Sequence, residues 1–427
     1  MKYNLVRGTK DILPGESAKW QYVINKTTSV FSRFGYSEIK TPVFEMTELF
    51  TRGIGESTDI VTKEMYTFLD KKGRSITLRP EGTAGVARAY IEDNLNIAPV
   101  PVKLFYIGPM FRYERPQAGR YREHWQLGVE VFGSNSPMLD VEVISTGLLL
   151  FKELGVTGLK TNVNSIGCMN DNCRPGYIKA LRDFLRSRSG KLCDTCKVRL
   201  EKNPLRILDC KVESCRNVFK EEGVPSILNF LCADCSGHFE RVKEYLALIK
   251  AEYVVNDRLV RGLDYYTGTV FEIMCDRLGA QSTVMGGGRY NKLIEELGGQ
   301  PTPAIGFSVG LERLLLTLEA LSIQLPVDSS PDIYLVTLGQ EALKKAFLLA
   351  EELRSSGLRV VMACEDKSMK AQMKLADTLK AKKAVIIGDN ELKEAVAVVK
   401  DMATGDQKKV AFKELIPQLN QALSTKS

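Results

Sequence analysis

The chain has 427 residues, 44% hydrophobic and 26% charged, with 59 Lys and Arg against 52 Asp and Glu for a net charge of +7. That length exceeds what one hydrophobic core serves, so two or three domains are expected, and the composition excludes disordered and fibrous classes. Met1 to Pro14 is polar, and the richest apolar run, Leu148 to Phe151, is followed by Lys152 and Glu153; a soluble cytoplasmic protein without membrane spans is the expectation.

Ser17 to Phe34 reads as a helix, because Trp20, Val23, Ile24, Thr27 and Phe31 recur at helical spacing and Gly35 follows as a C-cap. Glu38 to Phe44 looks extended, but Pro42 confines it to a sheet edge or an irregular connection. Tyr66 to Phe68 and Ser75 to Leu78 flank Asp70-Lys71-Lys72-Gly73, a hairpin signal. Val102 to Ile107 and Trp125 to Phe132 read as two further strands, paired antiparallel across the charged loop Arg112 to Arg122. Cys168 to about Lys250 is rich in Cys, Arg and Lys and reads as an insertion. Strand character returns at Val254 to Leu259, Thr269 to Met274 and Gln281 to Met285. Gly286-Gly287-Gly288 is expected to break the chain before a helix at Tyr290 to Leu297. Ile305 to Val309 is extended, and Leu311 to Leu321 is an apolar helix.

Pro326 to Pro331 reads as a linker. Beyond it, strands at Ile333 to Thr337, Arg359 to Ala363 and Ala384 to Ile387 alternate with helices at Glu341 to Ser355 and Ser368 to Lys380. Glu394 to Lys400 and Lys409 to Phe412 follow. This order implies a small parallel or mixed sheet covered by helices.

Two arginine-bearing segments carry the first chemical signal. Gly108-Pro109-Met110-Phe111-Arg112-Tyr113-Glu114-Arg115 leaves a strand for a loop in which Arg112, Arg115, Arg120 and Arg122 crowd together. Guanidinium forks match phosphate oxygens, although the loop taken alone reads first as an exposed basic turn. Gly306-Phe307-Ser308-Val309-Gly310-Leu311-Glu312-Arg313 is a strand, a glycine turn and a helix start, with Arg313 on the first turn. Together they resemble the paired arginine signatures of class II aminoacyl-tRNA synthetases. Four further segments are similar to signatures of the histidyl-tRNA synthetase family: Val6-Arg7-Gly8-Thr9-Lys10-Asp11-Ile12-Leu13-Pro14, Leu78-Arg79-Pro80-Glu81-Gly82-Thr83, Leu259-Val260-Arg261-Gly262-Leu263-Asp264-Tyr265-Tyr266-Thr267-Gly268, and Met285-Gly286-Gly287-Gly288-Arg289-Tyr290. The carboxy-terminal segment resembles that family's anticodon-binding domain.

The resemblance implies an α+β protein. A class II catalytic domain with an antiparallel sheet would occupy residues 1–325, with the cysteine-rich insertion at about 168–250. An α/β anticodon-binding domain would occupy 331–427. It implies a homodimeric enzyme that activates L-histidine with ATP and loads it onto tRNA(His). Arg112 would hold the α-phosphate, Arg120 and Arg313 the outer phosphates with Mg2+, and Arg261 would act beside the α-phosphate. Glu81, Thr83 and Gln126 match the family's positions for the α-ammonium, Glu130 and Tyr266 those that read the ring, and Tyr265 and Tyr290 border the site. Where many members have phenylalanine then histidine before the position of Gln126, this chain has His124 and Trp125. The family's phenylalanine stacks on adenine; His124 can stack as a flat ring, and its titration would make adenine binding pH-sensitive.

The cysteine pairs Cys168 and Cys173, Cys193 and Cys196, Cys210 and Cys215, and Cys232 and Cys235 have the spacings of thiolate metal ligands. They fit two tetrahedral structural Zn2+ sites or one cluster; reduced thiols packed as small hydrophobes are the plainer reading. His238 could replace one thiolate, or be an ordinary helix residue. Lys367, Lys370, Lys374, Lys380, Lys382 and Lys383 offer a phosphate footprint for tRNA, or a charged helix face. Two rival readings remain. A catalytically inactive synthetase-like regulatory subunit of ATP phosphoribosyltransferase would lack the anticodon domain and the arginines. A zinc-dependent nucleic-acid-binding module would leave the arginine and Gly-Leu-Asp-Tyr-Tyr motifs without purpose.

Overall fold

The structure, a computed structural model, describes residues 3–55, 58–169, 173–365 and 367–424. The outer bounds of the domains read from the sequence, Met1 and Ser427, lie outside the described residues. The chain divides into two compact units, Met1–Pro326 and Val327–Ser427.

Strands of the first unit, in chain order, are β1 (Ser37–Glu38), β2 (Phe44–Met46), β3 (Tyr66–Leu69), β4 (Ser75–Leu78), β5 (Val102–Phe111), β6 (Glu123–Phe132), β7 (Lys160–Ser165), β8 (Val254–Val255), β9 (Thr267–Met274), β10 (Thr283–Arg289) and β11 (Ala304–Gly310). Eight of them form one sheet in the order β1-β5-β6-β11-β10-β9-β7-β8. From β5 to β7 every pairing is antiparallel, and only the short edge strands β1 and β8 pair parallel. The segment Glu38 to Phe44 is not one strand: Glu38 ends β1 in this sheet, and Phe44 begins β2 in the small sheet β2-β4-β3.

Period-two alternation sorts the large sheet's side chains. One face carries Phe105, Leu127, Val129, Val163, Phe271, Ile273, Ile305 and Val309 into the main core. Helices Glu16–Arg33, Pro137–Glu153, Ala233–Leu248 and Leu311–Ala320 cover that face. Trp125 belongs to it and meets Trp20 edge-on at 5.9 Å. The opposite face carries His124, Gln126 and Glu130, one residue out of phase.

Two expectations fail locally. Gly286 to Gly288 do not break the chain; they are buried residues inside β10, paired on both sides. The helix expected from Tyr290 to Leu297 is reduced to Leu293–Glu296. The insertion between β7 and β8 is helical, with helices Arg174–Arg186, Asp194–Lys202, Glu213–Val218 and Ala233–Leu248.

In the second unit β12 (Ile333–Thr337), β13 (Val360–Met362), β14 (Lys383–Ile387), β15 (Val396–Asp401) and β16 (Gln407–Ala411) form a mixed sheet, β13-β12-β14-β15-β16. The first three strands are parallel and the last two antiparallel. Ile333, Leu335, Val385 and Ile387 pack under helices Gln340–Ser355 and Phe412–Ser424, the latter not foreseen from the sequence. Tyr334, Val336, Ala384 and Ile386 meet helix Met369–Thr378 on the other face.

Candidate active site

Cross-strand register builds the site. On β6, Glu130 lies beside Gly306 of β11, and Gln126 lies between Gly108 of β5 and Gly310 of β11. Gly286 of β10 sits between Ser308 and Glu272. These glycines form a low floor. A Cβ on Gly306 would collide with the Glu130 carboxylate, and one on Gly286 with the Arg261 guanidinium. Glycine here makes room for functional side chains above the strand.

Two cavities open on this face. The first, of about 190 Å3, is lined by Glu81, Thr83, Gln126, Glu130, Tyr265, Tyr266 and Tyr290. The second, of about 180 Å3, is lined by Arg120, His124, Arg313, Glu114 and Glu312. Arg112, Arg261 and Ser308 line both. The twelve non-cysteine residues singled out in the sequence therefore converge on two adjoining cavities, with two arginines at the junction.

In the first cavity polar groups are fixed from behind. The Glu81 carboxylate accepts the backbone N–H groups of Thr83 (2.7 Å) and Ala84 (2.8 Å), so it caps helix Thr83–Glu92. Glu130 accepts the Thr83 hydroxyl at 2.6 Å and the Tyr290 hydroxyl. Burial pushes Glu130 up to about 8 and raises Glu81 as well, because a carboxylate loses water there. The Gln126 side-chain oxygen is buried and has no hydrogen-bond donor among the described residues.

The second cavity is cationic. Arg112 Nε donates to the Pro80 carbonyl at 2.7 Å, Arg120 pairs with Glu114 at 3.1 Å, and Arg313 donates to the Thr283 carbonyl at 3.1 Å. At the junction Arg261 forms an ion pair with Glu272. Burial, then the charges of Arg112 and Arg120, push His124 down to about 3. That direction favours the neutral ring, because a proton would add charge beside two guanidiniums, and it weighs against the pH-sensitive stacking expected from the sequence.

A family model described as histidyl-tRNA synthetase matches residues 8–314, and an anticodon binding domain matches residues 332–422. The chain belongs to the histidyl-tRNA synthetase family. It is 51% identical to a histidine–tRNA ligase of Desulforamulus reducens, over 96% of this chain and 97% of that protein. It is 54% identical to one of Halothermothrix orenii, over 97% of this chain and 98% of that protein. The crystal structure of the apo S. aureus histidyl-tRNA synthetase superposes with a TM-score of 0.83 at 38% identity, covering 98% of this chain and 100% of that one.

Sequence reasoning missed the residues that hold this synthetase-family site in place. Arg289 is buried and binds Asp140 through Nε (2.9 Å) and a terminal nitrogen (2.5 Å), with the carbonyls of Ser134 and Ser136 as further acceptors. It immediately precedes Tyr290, and its place within a family motif was the only available signal. Glu312 accepts the Trp125 backbone N–H at 3.0 Å, which ties the Arg313 helix to β6. Arg174 donates to the Tyr266 carbonyl at 2.7 Å. Nothing local in the sequence pairs those last two.

The cysteines separate into two groups of four sulfurs, each within 4.8 Å of one another: Cys168, Cys173, Cys232 and Cys235, and Cys193, Cys196, Cys210 and Cys215. His238 is in neither; its Nε2 lies 3.2 Å from Asp140 Oδ1. In the second unit, Lys382 pairs with Asp332 (3.0 Å) and Lys383 with Asp401 (3.0 Å). The exposed cations of the expected lysine footprint reduce to Lys367, Lys370, Lys374 and Lys380.

Proposed function

We propose that the chain is a histidine–tRNA ligase, which makes histidyl-adenylate and pyrophosphate from L-histidine and ATP and then transfers histidine to the 3′ end of tRNA(His), releasing AMP. The observation that carries this reading is the meeting of an acceptor-rich cavity and an arginine-rich cavity at Arg112 and Arg261.

The first cavity takes histidine. Glu81, Thr83 and Gln126 accept the α-ammonium, and the unpartnered Gln126 oxygen suits a cationic donor. Glu130 and Tyr266 read the two ring nitrogens, with Tyr265 and Tyr290 as walls. A buried site with paired polar partners rejects apolar isosteres strongly, because unpaired groups are costly. The second cavity takes ATP, with His124 under adenine and Arg120 and Arg313 on the outer phosphates. Mg2+ would arrive on those phosphates as part of the substrate. The histidine carboxylate oxygen attacks the α-phosphorus; a new O–P bond forms, and pyrophosphate leaves with the electron pair of the broken bond. Arg112 and Arg261 meet the charge that grows on the α-phosphoryl oxygens, the kind of fixed stabilisation that dominates phosphoryl transfer. In the second step a terminal ribose hydroxyl of the tRNA attacks the acyl carbon, and AMP leaves.

The carboxy-terminal unit binds the anticodon region, with Lys367, Lys370, Lys374 and Lys380 as phosphate contacts. The enzyme works as a cytoplasmic homodimer. Each cysteine quartet takes one structural zinc. A tetrahedron with metal–sulfur bonds of about 2.3 Å sets its sulfurs about 3.8 Å apart, and the Cys168–Cys232 and Cys193–Cys210 separations are 3.8 and 4.0 Å. Four thiolates leave no open position, so such a metal is structural.

Amino-acid-dependent ATP–pyrophosphate exchange tests the function. Exchange with histidine alone among the standard amino acids is expected. A folded protein that binds histidine yet exchanges with none would overturn the enzyme reading in favour of a regulatory subunit.

A further inference from the structure

The two quartets are not equivalent in the fold. Cys193, Cys196, Cys210 and Cys215 belong to the insertion's own core, with Leu181, Leu200 and Ile207. Cys168, Cys173, Cys232 and Cys235 lie where the insertion leaves and rejoins the catalytic unit. Cys168 follows β7, Cys173 is the N-cap of helix Arg174–Arg186, and Cys232 is the N-cap of helix Ala233–Leu248, with Cys235 in its first turn. Cys168 and Cys232 are 64 residues apart in sequence.

Two short chains of contacts run from this basal quartet to the first cavity. The Arg174 backbone N–H donates to the Cys168 carbonyl at 3.1 Å, and the buried Arg174 guanidinium donates to the Tyr266 carbonyl at 2.7 Å. The first route therefore reaches the backbone of a ring-reading residue through one side chain. The second starts on helix Ala233–Leu248, where His238, one turn after Cys235, meets Asp140 at 3.2 Å. Asp140 grips Arg289, and the adjacent Tyr290 donates to Glu130.

We propose that a zinc ion in the basal quartet is a positioning element for histidine binding: by locking the starts of helices Arg174–Arg186 and Ala233–Leu248 together, it sets Tyr266 and Tyr290. This rests on the metal reading above and adds a consequence for the amino-acid pocket. The physical reason is tolerance. Binding groups work only when held to within roughly 0.5 Å by their supports, and a metal–thiolate knot closing a long loop supplies rigidity that reduced thiols do not. The metal touches no substrate. The arginines assigned to the outer phosphates, Arg120 and Arg313, lean on Glu114 and Thr283, outside both routes.

The test uses the full-length protein, zinc determination, and separate titrations of histidine and ATP. The parent should carry two zinc ions per chain, one for each quartet, and Cys173→Ser should carry one. In that variant histidine affinity should fall about tenfold, with ATP affinity within about twofold of the parent. Loss of one zinc with histidine affinity unchanged overturns the proposal and leaves the metal reading standing; a parent without metal overturns both. Should Cys173→Ser fail to fold, Arg174→Met cuts the first route while keeping both metals. It should weaken histidine binding, and Arg174→Lys, which retains a donor, should recover part of it. Full histidine affinity in Arg174→Met overturns the proposal.

Discussion

The cavity around Glu130 and the cavity around Arg313 share a floor of β6, β10 and β11, yet burial acts on their titratable groups in opposite directions. In the first it lifts Glu130 to about 8; in the second, with two guanidiniums added, it lowers His124 to about 3. Both shifts favour the neutral form. The first cavity holds buried carboxyl groups in place with the protein's own hydroxyls and N–H groups, which suits the choice of one amino acid. The second concentrates permanent guanidinium charge, partly solvent-facing, since Arg120 keeps 49% of its side chain exposed. That suits a polyanion whose charge supplies the affinity.

The strongest way to break this division is at the junction. Arg261→Ala should cut histidine-dependent pyrophosphate exchange by about 100- to 1,000-fold. Most of the loss should fall in kcat, because the side chain meets charge that develops during the reaction. A change confined to KM, measured in the same assay, would move Arg261 to a ground-state binding role.

A smaller effect is expected on the histidine side alone. Glu130→Gln keeps the shape and removes the ionisable group, and histidine affinity by calorimetry should fall about tenfold or more, at about 1–3 kcal/mol for the orphaned partners. The pH behaviour gives the sign. The folded carboxyl holds its proton up to about 8, far above its ordinary value of 4.5. The stability that this proton contributes is therefore complete below 4.5 and is lost as pH rises through about 8. An imidazole N–H prefers the ionised acceptor, so parent histidine affinity should climb from about pH 6 towards 8. The part of that slope above about pH 7, where the ligand's own imidazole is already neutral, should vanish in Glu130→Gln.

The smallest effect belongs to adenine. ATP affinity should stay flat through the same pH range, because His124 remains neutral, and His124→Phe should change it by about threefold or less. A pH-dependent ATP affinity that this variant abolishes would show the ring titrating, and the two cavities would then be less different than their surroundings imply.

Much of this was legible in the sequence, and for local reasons. The run from Trp125 to Phe132 read as a strand, and the two arginine segments and the Gly-Leu-Asp-Tyr-Tyr run carried the family resemblance residue by residue. Cysteine spacing flagged metal-type pairs. The Gly286 to Gly288 run misled, because glycine usually marks a turn. Here the missing Cβ atoms matter for what lies above the strand, a guanidinium contributed from 25 positions earlier in the chain for Gly286. Lys382 and Lys383 looked like free cations until folding set Asp332 and Asp401 against them.

By itself the sequence determined the strand and helix periods, the catalytic motifs and the supply of thiols, since these depend on residue type and short spacing. Only the tertiary structure decided which cysteine pairs combine, that Arg174 and Arg289 brace the tyrosines, and that the surroundings of Glu130 and His124 both favour the neutral form. Those outcomes depend on long-range chain closure and on loss of water, which no local run of residues encodes.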